Sequence, residues 1–325
     1  MPTFITGASG FVGLALTEHL LARGQHVVGY DLQPPAAAAL KAFAALPGRF
    51  DAETGDVLDA AALRQAMRCH APDRLVTLAA ITADAGRERA APQAIFDVNV
   101  GGVLAALSAA AECGVQRVLH ASSGSAYGAS GAGSAPLCED STPLRPEGLY
   151  GISKQAAEAA ARRFADIAGL DLVVGRLGTC FGPWEADTGV RDTPSAPLQV
   201  LRLARAGHAA VLPRAGLRDW LYVRDAAAGL AALLDAPHRS HATYNIATGF
   251  RWTLAQWCEQ LAARRPGFRW QLANADAGEP ANVDYYAPYD RAPMDCTRLR
   301  QDTAFVPRYD LAAAANDFEE WLHHA

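Results

Sequence analysis

The chain has 325 residues, half of them hydrophobic and 19% charged, with a formal net charge of −5. That length and apolar share supply a large core divided into one large and one smaller unit, and the absence of any Lys/Arg block argues against a nucleic-acid surface. No apolar run approaches the ~20 residues of a membrane span, and the chain opens directly on a strand-like segment with no basic leader or cleavage site, which leads to the expectation of a soluble, cytoplasmic protein.

Six cysteines (Cys69, Cys113, Cys138, Cys180, Cys258, Cys296) lie far apart, with no CxxC pair among them. Reduced thiols fit that spacing better than disulfides or a metal site. The histidine pairs His238/His241 and His323-His324 read as solvated polar residues, so no metal is expected.

In chain order, PTFIT is a first strand and TGASGFVG, Thr6 to Gly13, follows it at once. A helix spans Gly13 to Arg23, the strand HVVGYD ends on Asp31, and the alanine run Ala36 to Ala39 reads as helix filler. Helices over Ala60 to Cys69, Ala94 to Cys113 and Ser153 to Ala168 alternate with strands RLVTLAA, RVLHAS and LDLVVGRLG. Apolar strands separated by amphipathic helices indicate an α/β fold, a doubly wound parallel sheet of Rossmann-like type. After about Gly178 prolines, tryptophans and loop-like runs dominate, with element signals returning at DAAAGLAALLDA and ATYNIA. Residues 1–178, with late returns around 218–247, therefore form the expected dinucleotide domain, and 179–325 mainly a smaller, interleaved substrate domain.

Three glycines at three-residue intervals between a strand and a helix have a physical use. Gly7 permits the tight turn, Gly10 lets the backbone approach a pyrophosphate, and Gly13 lets helix and strand pack closely, while the helix N-terminus offers free N–H groups. Asp31 lies 18 residues after Gly13 at the end of the next strand, where a carboxylate can hold a ribose diol. It would repel a 2′-phosphate, and Leu32 and Gln33 bring no arginine, so NAD is favoured over NADP.

Tyr150 and Lys154 stand four residues apart at the start of an alanine-rich helix, on one face. A fixed ammonium and the positive charge of oxidised nicotinamide would lower the phenol toward neutrality and make it a usable base. Ser122 and Ser123 sit at the C-terminal end of the strand RVLHAS, the sheet edge at which such folds bind ligands.

Taken together, TGASGFVG, Asp31, Gly55-Asp56-Val57, Leu78 to Ala80, Asn99-Val100, ASSGSAYG and YGISK resemble the successive motifs of the extended short-chain dehydrogenase/reductase family, its NAD-dependent epimerase/dehydratase group. GRLGTCFGP, RDWLYVRDAA and DRAPMDCTRL extend that resemblance over nearly the whole chain. The resemblance implies that Gly7, Ser9, Gly10, Phe11, Val12 and Gly13 surround the pyrophosphate, Asp31 the adenosine ribose, Asp56 and Val57 the adenine, and that Leu78, Ala79 and Ala80 line the cofactor channel. It gives Ser123 the substrate hydroxyl, Tyr150 the acid/base role and Lys154 the nicotinamide ribose, and leaves Ser122 structural. Asn99 is either a member of the cofactor site or a helix-bending polar residue.

The chemistry implied is hydride transfer at a sugar-type secondary alcohol, first as a nucleotide-sugar 4-epimerase. A dehydratase of that group carries an Asp-Glu pair directly after its active hydroxyl residue; Gly124-Ser125 stand here, which disfavours elimination. Arg218 and Arg291 match positions that hold a diphosphate, whereas Thr179 replaces a usual asparagine and ADTGVRDTPSAP departs from the usual loop. Arg191 or Arg218 could instead clamp a small sugar acid, the substrate of a net dehydrogenase, and each arginine could equally be a plain salt bridge. A non-catalytic NAD sensor or scaffold is a further alternative, opposed by the intact Ser123, Tyr150 and Lys154. Most of the six tryptophans are expected in the core or at subunit contacts, with Trp184, after the Gly182-Pro183 turn, the one site candidate. Helices Ala94 to Cys113 and Ser153 to Ala168 resemble the pairs that form a four-helix homodimer interface in this family.

Overall fold

The structure is a computed structural model describing residues 2–186, 189–274, 280–285 and 289–324, with residues 323 and 324 described by backbone only. The polar role expected for His323-His324 therefore lies outside the described side chains. The first half of the chain runs β1 (Thr3–Thr6), α1 (Phe11–Ala22), β2 (His26–Asp31), α2 (Ala37–Ala44), β3 (Arg49–Thr54), α3 (Ala60–His70), β4 (Arg74–Thr77), α4 (Ala85–Ala90), α5 (Pro92–Phe96), α6 (Val103–Glu112), β5 (Arg117–Ser123), α7 (Leu149–Ala168) and β6 (Asp171–Leu177). The second half adds β7 (Thr179–Phe181), α8 (Ala196–Arg205), β8 (Ala210–Leu212), β9 (Leu217–Tyr222), α9 (Val223–Asp235), β10 (Thr243–Ile246), β11 (Arg251–Thr253), α10 (Leu254–Arg264), β12 (Trp270–Leu272), α11 (Thr297–Asp302) and α12 (Leu311–His324).

Seven strands form one sheet in the order β10-β6-β5-β4-β1-β2-β3, every pair parallel. Its central strands are apolar throughout because helices cover both faces, and Phe4, Ile5, Val27 and Val28 have no exposed surface. On one face α1 and α9 bury Leu16, Leu20 and Leu21 against Leu230, Leu233 and Leu234. On the other, α3, α6 and α7 share a core with Val118 of β5. β3 has no counterpart among the sequence expectations: RFDAET is polar and largely exposed, as an edge strand can be.

α5 and α6 join through a π-helical turn, Asp97–Gly102, into one helix from Pro92 to Glu112. An 18-residue stretch of this 21-residue helix has a mean hydropathy of 1.6, long and apolar enough to cross a membrane by length and composition alone, with 44% of the stretch buried. This corrects the expectation that no such run exists. Val98, Val100, Val103 and Leu107 contribute to the apolar run along with the alanines, and they pack in the core shared with α3 and β4.

The remaining strands form two small sheets, β11-β9-β7 and β12-β8, around a second core. Phe181 is its hub, with ring centroids 5.2 to 6.0 Å from those of Trp220, Tyr222, Trp252 and Trp257. Trp184 belongs elsewhere. Its indole Nε1 donates to Glu18 at 3.0 Å and its ring packs on Phe43 and Trp321. The expectation of a site role for Trp184 is thus overturned, because its left-handed backbone, φ +70°, turns the ring into the core beside α1.

Candidate active site

The turn after β1 is shaped by glycine at two positions. Gly7 has φ +75°, and a Cβ there would stand 2.5 Å from the Ala79 nitrogen. At Gly13 a Cβ would stand 2.1 Å from the Gly7 carbonyl oxygen, so α1 closes on the turn only without a side chain. Gly10 caps α1 in extended conformation with no side chain satisfying the first turn. The N–H groups there are left for an anion, and a Cβ at Gly10 would fill the space above them, touching only the Gly7 carbonyl at 3.2 Å.

Asp31 ends β2 beside this turn. Its Oδ2 accepts from the Ser9 N–H at 2.9 Å, while the Ser9 hydroxyl donates to the Gln33 carbonyl at 2.7 Å. Burial pushes the Asp31 carboxyl up, and N–H groups of Ser9, Leu32 and Gln33 pull it back. Phe11 and Val12 pack at the rim of the core, as does Leu78. Asp56 accepts the Leu58 N–H at 2.9 Å, and Val57 is buried where a Cβ on Gly102 would meet it at 2.7 Å. Ala79 packs on the other core, beside Val57, with Ala80 next to it in the chain. These residues fit a dinucleotide: an open helix N-terminus for the diphosphate, a strand-end carboxylate for a diol, and a shallow apolar rim for a base.

The reacting groups come from the neighbouring strand and helix. Gly151 lets α7 close against the turn after β5, since a Cβ there would stand 2.7 Å from the Ser125 carbonyl. Ser123 caps that turn and accepts the Ser125 N–H at 3.1 Å. Tyr150 and Lys154 lie one turn apart, with Nζ 6.0 Å from the Tyr150 ring centroid. Lys154 is 4% exposed and donates to the Ala121 carbonyl at 2.9 Å. Burial brings its ammonium down to about 8, against the opposing charge of Glu158.

The Tyr150 phenol departs from expectation. Burial raises it, while the hydroxyls of Ser123 and Thr82 and the Arg191 guanidinium lower it. Lys154 donates to the Ala121 carbonyl while its ammonium stays 6.0 Å from the Tyr150 ring centroid, and Arg191 is a second cation near the phenol. Thr82 escaped the sequence reading because one hydroxyl two residues past Leu78-Ala79-Ala80 carries no motif. Ser122 is structural, donating to Glu158 Oε1 at 2.6 Å.

Asn99 is fully buried within the π-helical turn. Its Oδ1 accepts the Ile81 N–H at 2.7 Å, and its Nδ2 donates to the Ile81 carbonyl at 3.0 Å and to Ser153 Oγ at 2.9 Å. The structure therefore aims it at the loop after β4, not at the cofactor residues, and joins the two readings: the residue sits where the helix widens and also supports the site.

The three arginines are not brought together. Arg191 pairs with buried Glu185 at 3.1 Å and stacks 5.3 Å from the Phe11 ring centroid, between glycine loop and Tyr150. Arg291 donates to the Gly124 carbonyl at 2.6 Å. Arg218 is buried in the second core, 4.9 Å from the Tyr285 ring centroid, and donates to Thr179 Oγ1 at 3.4 Å. Residues 187 and 188 of the atypical loop lie outside the described residues.

Sheet order, glycine turn, Asp31 and the Ser123–Tyr150–Lys154 arrangement define an extended short-chain dehydrogenase/reductase. The sequence profile of the NAD dependent epimerase/dehydratase family matches residues 3–247, and the chain belongs to that family. It is 30% identical to a dTDP-glucose 4,6-dehydratase of Streptomyces griseus, covering 98% of this chain and 93% of that one. It is 29% identical to a UDP-glucose 4-epimerase of Streptomyces lividans over 75% of each. Among solved structures, MoeE5 in complex with UDP-glucuronic acid and NAD superposes with a TM-score of 0.77 at 25% identity, over 99% of both chains. A Bifidobacterium longum UDP-glucose 4-epimerase in complex with NAD+ and UDP shares the fold, TM-score 0.82 at 19% identity, over 99% of this chain and 98% of that one. The protein is an NAD-dependent enzyme of this family.

Proposed function

We propose that the protein is a nucleotide-sugar 4-epimerase. The reading is carried by what surrounds the Tyr150 phenol and follows Ser123: the hydroxyls of Ser123 and Thr82 meet the phenol, and Arg191, which lies near it, is paired with Glu185. Elimination of water needs a further acid and base beside the ring, and Gly124-Ser125 follow Ser123 where these would stand. Oxidation and reduction at one carbon need only a proton shuttle. Bound NAD supplies the hydride acceptor and donor. Ser123 and Thr82 hold the substrate hydroxyl beside Tyr150, the phenol takes its proton and later returns it, and Lys154 holds the nicotinamide ribose. The family resemblance gives Arg218 and Arg291 the diphosphate of the nucleotide; here Arg291 stands on the Gly124 carbonyl and Arg218 beside Tyr285 in the second core. On this reading residues 1–178, with returns around 218–247, bind NAD, and 179–325 mainly bind the sugar nucleotide.

A second reading, net dehydrogenation of a sugar acid, draws on the placement of Arg191 beside Tyr150, where a carboxylate could be met. Adding NAD and then UDP-, GDP- and dTDP-sugars or free sugar acids separates the two. Sugar interconversion without net NADH supports the epimerase, and sustained NADH release with a sugar acid overturns it.

The assembly proposed is a homodimer through α6 and α7. Exposed Ile152 and Ile167 on α7 and the half-uncovered Pro92–Glu112 helix support it. A monomer by light scattering at micromolar concentration would refute it. Six free cysteines agree with a cytoplasmic location.

A further inference from the structure

Behind the reacting groups lies a buried ionic cluster that the proton shuttle does not use. Glu158 is one turn beyond Lys154 on α7, and both it and Arg176 on β6 are 2% exposed. Ser122 and Arg176 are cross-strand partners in the β5–β6 register, and one carboxylate reads both. Glu158 Oε1 accepts from the Ser122 hydroxyl at 2.6 Å and from Arg176 Nε at 2.9 Å. Its Oε2 accepts from Arg176 Nη2 at 2.7 Å and from Arg162 Nη2 at 3.0 Å.

A buried ion pair is a poor device for stability, because apolar side chains of the same volume do as well without the cost of desolvation. This one joins the catalytic helix to the strand that ends in Ser123. We propose that Glu158 is a positioning residue for the reaction: it locks α7 to β5 and β6, and its charge, one turn from Lys154, keeps that side chain an ammonium. The titratable and charged groups around Lys154 lie on α7, β5 and β6, the last supplying Arg176, which is bonded to Glu158. Tyr150 and Glu158 share its helix, Arg162 lies one turn further, and His120 on β5 is held neutral by burial, its Nδ1 bonded to the Thr77 hydroxyl at 2.8 Å. Of these, Glu158 acts to keep the proton on Lys154 against desolvation.

The inference rests on Tyr150 and Lys154 as the reacting pair, but its test needs no sugar, so failure of the epimerase reading would leave it standing. The chain has two lysines, Lys41 and Lys154. Protein carrying lysine labelled with ¹³C at Cε therefore gives two resonances, with exposed Lys41 the internal reference. Titrating the full chain, with and without NAD, follows the Lys154 proton directly. Glu158→Gln is expected to lower the Lys154 midpoint by ~1 pH unit, the scale of a partly compensated charge one helical turn away. Glu158→Asp, which keeps the charge, leaves it near the wild-type value. An unmoved midpoint in Glu158→Gln, or equal movement in both variants, overturns the proposal. Should Glu158→Gln fail to fold, Arg162→Gln, at a side chain 39% exposed, decides: the midpoint rises by a few tenths of a pH unit if Glu158 is left less compensated, and an unchanged or lower midpoint overturns the proposal.

Discussion

Asn99 and Ile81 pair as if across a sheet: the side-chain amide takes the Ile81 N–H and returns a hydrogen bond to its carbonyl, at 2.7 and 3.0 Å. A buried amide thus stands in for a strand at the point where β4 has ended. The next residue, Thr82, is one of the two hydroxyls that meet Tyr150, so a contact 18 residues away in sequence sets the position of a reacting group. Asn99→Ala leaves two backbone groups and Ser153 without this partner, and each buried polar group so stranded costs about 1–3 kcal/mol. Thermal unfolding should register a loss of this order, and turnover should fall at least tenfold, because the Thr82 loop loses its anchor. Unchanged turnover would show that the loop is held by its pairing with the segment at Val190 and Asp192 alone.

Thr82→Val tests the hydroxyl itself while keeping shape and backbone. If Thr82 helps to hold the reacting oxygen, kcat falls by about tenfold, the value of roughly one net hydrogen bond, with NAD affinity unchanged. Tyr150→Phe should abolish turnover and leave NAD binding within a few-fold. Equal losses of NAD affinity in either variant would mean that the side chain acts through the fold.

Much of this arrangement is legible from residue order. Glycines seven, ten and thirteen, the strand-end Asp31 and the Tyr150–Lys154 spacing are local patterns whose geometry follows from strand, turn and helix alone. Partners supplied by tertiary approach are not. Thr82, Glu158 and Arg176 come together across separate elements, and no spacing announces them. Trp184 shows the limit from the other side: a glycine-proline turn before it suggested a site, and a single left-handed residue turned it inward. The edge strand β3 is hidden in the sequence because RFDAET buries no residue fully and carries the polar residues that protect an edge.

Gly7→Ala should be damaging twice over. A left-handed φ of +75° strains any L side chain, and the added Cβ would press on the Ala79 nitrogen at 2.5 Å, a backbone atom that cannot swing aside. A loss of about 3 kcal/mol in urea unfolding is expected, together with at least tenfold weaker NAD binding, because Ala79 and the glycine turn move apart. By contrast Gly24→Ala, at φ +74° with nothing near its Cβ, carries only the first penalty and should cost about 1–2 kcal/mol with NAD binding intact. If the two variants lose equal stability, the close approach of strand and turn is not what Gly7 provides.

Lys154 sets stability against activity. Its folded-state midpoint of about 8 lies below the ordinary lysine value of 10.5, because burial disfavours the ammonium. As pH falls from 10.5 toward 8 the unfolded chain binds a proton that the folded chain does not, so folding loses stability through that window and bears the full cost below it. The cost is on the order of 3 kcal/mol, less roughly 1 kcal/mol for the hydrogen bond to the Ala121 carbonyl. Lys154→Met, similar in length and apolar, should therefore be more stable than wild type by about 1–2 kcal/mol at pH 7 and catalytically dead, with the gain fading as pH approaches 10.5. Urea unfolding at pH 7 and pH 10 measures both parts. A methionine variant no more stable at pH 7, or one whose gain is the same at both values, would mean that the buried ammonium is not a cost to the fold.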